Sequence, residues 1–114
     1  MTSIISNKKA NFGLWHGQIR DADPREYRRG NVSDIWLPLR EKRWQYIGVY
    51  GQEVIAGIAI VHAGYMGSVF CYVFNRKTKT LSEQDRIAPL ANGIYFDRNV
   101  AQGTVSYIAG DEKI

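Results

Sequence analysis

The chain has 114 residues, 45% of them hydrophobic and 23% charged, and carries a formal net charge of +4. That composition bounds it to one domain with a single core and sits in the ordinary soluble range, where disorder is not the default. The lone cysteine, Cys71, excludes an intrachain disulfide and a Cys-based structural zinc site.

Neither a metal nor a cofactor is expected, and a single thiol fits a reducing cytoplasm. Ile4 and Ile5 precede the N-terminal lysines, the reverse of the order in a secretory signal. The longest apolar run, Val54 to Val61, is too short and too rich in Gly and Ala to span a bilayer. The expected protein is soluble and cytoplasmic, with no membrane partner. Fifteen basic residues against eleven acidic ones is a mild bias that permits contact with nucleic acid without demanding it.

Residues 1–10 lack periodicity and read as a mobile tail, leaving 11–114 as a single β domain. Asn11 to Ile19 alternates weakly, and Gly13 and Gly17 limit it to a short or irregular strand. Asp23 to Gly30 has the signature of a short helical turn. Asp23 can cap, Pro24 suits the first helical position, Glu26 sits where a capping box needs it, and Arg28 and Arg29 suit the dipole's C-terminal end. Asn31 to Arg40 is extended at best, because Pro38 argues against both a helix interior and a central strand.

The strongest signal runs from Trp44 to Asn75, where three apolar strands are joined by two glycine-bearing turns. In the first, Trp44, Tyr46, Gly48 and Tyr50 share one face, while Gln45, Ile47 and Val49 share the other. Gly51-Gln52 reads as a two-residue hairpin turn. Val54 to His62 is apolar on both faces, as in a strand covered on both sides. Gly64 to Gly67 makes the next corner, and Ser68 to Phe74 places Phe70, Tyr72 and Phe74 opposite Val69, Cys71 and Val73. A basic hairpin loop, Asn75 to Thr80, leads to a short strand at Thr80 to Ser82 that ends before the polar Glu83 to Arg86. Ile94 to Phe96 and Thr104 to Ile108 read as two more strands, and Gly110 to Ile114 carries no signal.

The pattern predicts an all-β chain, an antiparallel meander of about six strands with one short helical turn. Six strands are too few to close a roomy barrel, so a partial barrel is expected, with either copies associating through exposed strand edges or the chain curling into a small, tight barrel.

Several residues carry a further resemblance. They are Lys42-Arg43-Trp44-Gln45-Tyr46, then Ala59-Ile60-Val61-His62-Ala63-Gly64-Tyr65, then Gly67, Phe70 and Tyr72-Val73-Phe74. Lys77-Thr78-Lys79 and Ala88-Pro89-Leu90 follow, and Phe12-Gly13 and Gly17 lie upstream. In order and spacing the chain resembles the N-terminal portion of a bacterial and eukaryotic family, domain of unknown function (DUF) 2804. Members are usually several times longer, which implies that this chain is part of a larger family domain. The family is distantly similar to lipocalin-like proteins that include carotenoid hydratases, which implies a lipocalin-like half and carries over no catalytic residues.

His62 shares the parity of Ile58 and Ile60. It reads either as a ligand or acid–base group on an apolar wall, or as a structural histidine bonded to backbone at a strand end. Trp44, Tyr46, Tyr65 and Tyr72 read either as a pocket lining with hydroxyl handles or as plain core and cross-strand pairs. Cys71 reads as a buried inert thiol. Between Asp23 and Arg43, six basic residues stand against four acidic ones, a mixed face on which nucleic-acid binding is not expected.

The first functional expectation is binding of an apolar or amphipathic small molecule by Trp44, Tyr46, His62, Tyr65 and Tyr72. The alternatives are a hydratase- or isomerase-like enzyme on a lipid-like substrate, with His62 as its acid, and a nucleic-acid or protein interaction module using the basic face.

Overall fold

The computed structural model describes residues 3–27 and 36–114. Its architecture is all-β, with antiparallel sheets that do not close. The dominant sheet is a four-stranded meander of β3 (Arg43–Tyr50), β4 (Val54–His62), β5 (Met66–Asn75) and β6 (Thr80–Pro89), in that spatial order. Before it lie β1 (Ile5–Ser6) and β2 (Lys9–Ala10), paired as a minimal hairpin. After it, β7 (Ile94–Phe96), β8 (Val105–Ala109) and β9 (Glu112–Lys113) form a small meander of their own.

Each turn of the main sheet has a local cause. The Gly51 N–H donates to the Val54 carbonyl at 2.8 Å, so the loop is Gln52-Glu53, one residue later than the Gly51-Gln52 expectation. At the second corner the Ala63 N–H donates to the Met66 carbonyl, and Gly64 supplies the positive φ of 82° that a two-residue hairpin needs at its first position. In the basic loop, the Asn75 side-chain oxygen accepts from the Lys77 and Thr78 N–H groups, an Asx turn that bends the chain back into β6.

Register assigns the faces. Gln45, Ile47 and Val49 of β3 pair with Ile60, Ile58 and Ala56 of β4, which pair in turn with Val69, Cys71 and Val73 of β5. All of these lie on one face. The other carries Trp44, Tyr46 and Tyr50 of β3 with Phe70, Tyr72 and Phe74 of β5.

The core sits at one end of the first face. Ile60, Val69 and Ala88 pack against Ile94 and Tyr107, with Phe96 and Val105 at the margin. The small sheet therefore caps only part of the large one, leaving Ile47, Val49 and Val73 exposed. The radius of gyration, 17.1 Å, exceeds the ~13 Å of a compact chain of this length, in keeping with a long sheet that is not wrapped.

Four sequence expectations are corrected. The strand begun at Thr80 continues through Glu83 to Arg86 and ends at Pro89. It lies at the sheet's edge with the side chains of residues 80–87 in water and Ala88 alone turned into the core, so backbone pairing with β5 holds its exposed length and no apolar alternation is required there. Pro38 falls inside a one-turn helix, α1 (Leu37–Arg40), at a first-turn position where its missing N–H costs nothing. Asn11 to Ile19 forms no strand: Gly13 and Gly17 adopt positive φ, and Phe12 and Leu14 stand in solvent. Residues 112–113 form β9, whose turn uses Gly110 at φ 59°.

The helical turn expected at Asp23 is a single 3-10 turn, Pro24–Glu26, capped by the Asp23 carboxylate, which accepts from the Arg25 N–H at 3.0 Å. Arg28, Arg29, Gly30 and Asn31 lie outside the described residues. Asp23 is buried and also meets the guanidinium groups of Arg25 and Arg98. Arg98 in turn grips Asp21 with two bonds, at 2.9 and 3.1 Å.

The Arg25 side chain, bonded to Asp23, holds that carboxyl at about 2, below the usual carboxylate range. The folded form therefore binds its proton less readily than the unfolded chain does. The resulting stabilisation is complete above pH ~4 and disappears as pH falls to ~2. Because Arg25 is more than half exposed, the contribution is discounted to about 1–2 kcal/mol. Urea unfolding at stepped pH is expected to show this loss in the native chain and a flatter acid limb in Asp23→Asn.

Candidate functional site

Where the small sheet stops short of covering the large one, the two leave a trough of about 640 Å³. Its floor is Ile47 of β3 with Ile58 and Ile60 of β4, and its opposing wall is Phe96, Val100 and Val105. Strand parity puts the three isoleucines on one face, and the register brings them side by side. Lys42, Arg43, Gln45, Asp97 and Asn99 supply polar groups around this apolar lining.

The far wall is held by the β7–β8 connection. The Asp97 N–H donates to the Thr104 carbonyl at 2.9 Å, and the Asn99 side-chain oxygen accepts from the Ala101 and Gln102 N–H groups at 3.0 Å each. The N-terminal segment braces the same loop, through the Ala22 N–H on the Arg98 carbonyl and the Asp21–Arg98 pair. The segment just before the helical turn thereby fixes one side of the trough.

Arg43 is the charged group in the lining with a buried counter-ion. Its Nε lies 2.9 Å from Glu41 Oε1, both side chains are largely buried, and the guanidinium carbon lies 5.3 Å from the Phe96 ring centre. Glu41 balances its charge and the Phe96 ring lies within cation–π range, although the Nε–Oε1 contact lacks hydrogen-bond geometry and leaves both atoms buried without a hydrogen bond.

A second cleft of about 330 Å³ lies between β6 and the β8–β9 hairpin. Charged residues dominate its lining, and Arg86 meets Glu112 there at 3.2 Å. Its chemistry suits an apolar ligand less well than the trough does.

The five residues singled out from sequence do not converge. Trp44 borders the trough from the edge strand. Tyr46 and Tyr72 stand on the opposite face, their hydroxyls 2.8 Å apart, with Tyr50 3.4 Å beyond Tyr46. Their rings lie over Gly57, where an added Cβ would come within 2.6 Å of Tyr72 and 2.9 Å of Tyr46. The hydroxyls of Tyr50 and of Tyr72, the closer of the two, hold the Tyr46 phenol above the usual tyrosine range.

His62 lies on the trough's face of the sheet but does not line the trough, and its Nδ1 accepts from the Gly64 N–H at 3.2 Å. That bond ties the ring to the turn that follows β4. Tyr65 sits in the β4–β5 turn, exposed, with its carbonyl accepting from the Leu90 N–H. Cys71 is partly buried.

Sequence reasoning missed Phe96 and Val105, whose strands are short and whose meeting with β4 is a long-range event, and Val100 in the connection between those strands. Ile47 and Ile58 share a face by parity alone, opposite the aromatics Tyr46 and Tyr72. Among the described residues no cluster of three His, Cys, Asp or Glu side chains could hold a metal ion, and no helix is long and apolar enough to cross a membrane.

Comparison with curated proteins and with solved structures finds no match. Comparison with family models matches residues 16–114 to the domain of unknown function DUF2804. With the match covering all but the first fifteen residues, the chain belongs to the DUF2804 family.

Proposed function

We propose that the chain binds an apolar or amphipathic small molecule in the trough between its two sheets, a lipocalin-like use of a partial barrel. The observation that carries this reading is the trough itself, about 640 Å³ walled by Ile47, Ile58, Ile60, Phe96 and Val105 with polar groups at its margin. Small-molecule sites combine such an apolar lining with a few placed polar groups. The single thiol supports a reducing, cytoplasmic setting. Among the described residues no strand pairs with the outer side of β3 or of β6, which supports association between copies.

The enzyme alternative draws no comparable support, because His62, its acid, is bonded to the Gly64 N–H away from the trough. Nor does the basic face, where Arg25 and Arg43 are each paired with a carboxylate.

Titration with cis-parinaric acid, a fluorescent long-chain carboxylate, tests the reading. Saturable binding is expected, weakened at least tenfold by Ile47→Asp, which places a charge on the floor of the trough. Tyr50→Ser, on the opposite face, is expected to leave the titration unchanged. Equal loss in both variants, or no saturable binding by the native chain, would refute the assignment.

A further inference from the structure

The two edges of the main sheet differ in kind. β6 presents Glu83, Asp85 and Arg86 along its length and ends in Pro89, the devices that keep a strand edge from pairing. β3 carries no charge and no proline from Trp44 to Tyr50. Trp44 and Tyr50 near its ends are 70% and 72% exposed. One sheet thus holds a guarded edge and an unguarded one.

The backbone of β3 can be oriented. The Gly51 N–H turns toward β4 to meet Val54, and the pairing runs without a bulge from Tyr50 to Arg43. Antiparallel alternation then turns the odd-numbered residues of β3 toward β4. The N–H and C=O groups of Trp44, Tyr46, Gly48 and Tyr50 face outward, and among the described residues no strand pairs with that side.

We infer that β3 pairs antiparallel with β3 of a second copy about a two-fold axis at Ile47, joining two four-stranded sheets into one. A two-fold normal to the sheet requires opposed residues to share a face, which limits the register to even offsets. Centring on Ile47 uses all four outward residues, sets Trp44 against the second copy's Tyr50, and sets Tyr46 against the second copy's Gly48. The first is an aromatic cross-strand pair and the second seats a ring over a residue without a side chain. A ladder of roughly eight backbone hydrogen bonds results.

The same operation carries the second copy's Ile47 and Val49 onto the trough's face, extending its floor past the edge where Arg43 and Gln45 now border it. This consequence for the site rests on the binding reading given above; the pairing of edges does not.

Light scattering over a dilution series tests the pairing. The native chain is expected at twice its mass of 13.0 kDa. Ile47→Lys sets two ammonium groups against each other at the axis and is expected to give single chains. Mixing it with Ile47→Glu is expected to restore the double mass, which a misfolded variant could not do. Leu81→Lys, on β6, is expected to leave the dimer intact.

A native chain of single mass, an assembly larger than two, or a dimer broken by Leu81→Lys but not by Ile47→Lys overturns the assignment. The two readings fail separately. A dimer that binds no parinaric acid retains the edge pairing and refutes the trough, whereas a monomer that binds it does the reverse.

Discussion

Tyr107→Ala is expected to destabilise the chain by about 3–5 kcal/mol, the range for emptying a buried aromatic site. Tyr107 is 5% exposed and packs with Ile60, Val69, Ala88 and Ile94, the residues through which the small sheet grips the large one. Its backbone also exchanges two hydrogen bonds with Ile114, at 2.9 and 3.0 Å, so the side chain sits on a strand fixed from both sides. A core this small spreads the loss over few neighbours, and a single domain has only 5–15 kcal/mol in hand. Equilibrium urea unfolding measures the change. Ile108→Ala, one residue along and 43% exposed, serves as the comparison and is expected to cost under ~1 kcal/mol. Equal losses at the two positions would mean that the buried face of β8 is not what joins the sheets.

The second large effect is expected at Gly93. It adopts φ +83° in the connection from β6 to β7, and a Cβ placed there would run into the Ile108 carbonyl oxygen. The Gly93 carbonyl also accepts from the Ile108 N–H at 2.9 Å, so the two backbones cannot separate without losing that bond. Gly93→Ala therefore combines left-handed backbone strain of ~1–2 kcal/mol with a backbone collision, and a total of about 2–4 kcal/mol is expected. Gly110 isolates the first part. Its φ is +59° and an added Cβ meets nothing, so Gly110→Ala is expected to cost only about 1 kcal/mol. The difference between the two variants, measured in the same urea series, reports how tightly β7 and β8 are locked.

Much of the main sheet was legible because its information is local. Period-two alternation separated Trp44, Tyr46 and Tyr50 from Ile47 and Val49, and the register keeps that division. Glycine marked the Gly64 corner, and Ile94 to Phe96 is a strand with the bounds read from sequence. The errors arose where pairing outweighs pattern. Glu83 to Arg86 looks like loop because an edge strand in water needs no apolar side, and β5 alone supplies its reason to extend.

The site was legible in part, and for the same cause. Parity alone places His62 with Ile58 and Ile60, away from Tyr46 and Tyr72, yet the sequence-based lining combined residues of both faces. Which face is covered depends on where Phe96 and Val105 land, some forty residues downstream of β4, and no local pattern reports that. Nor does composition reveal that Asp21 and Asp23 reach Arg98 to brace the trough's far wall.

The most direct test of the trough as a binding site is nuclear magnetic resonance of the isotope-labelled chain titrated with dodecanoate. Amide shifts concentrated at Ile47, Ile58, Ile60, Phe96 and Val105, and saturating with added ligand, are the result predicted here. Shifts centred on Tyr46, Tyr50 and Tyr72, or no saturable shifts at all, would contradict it.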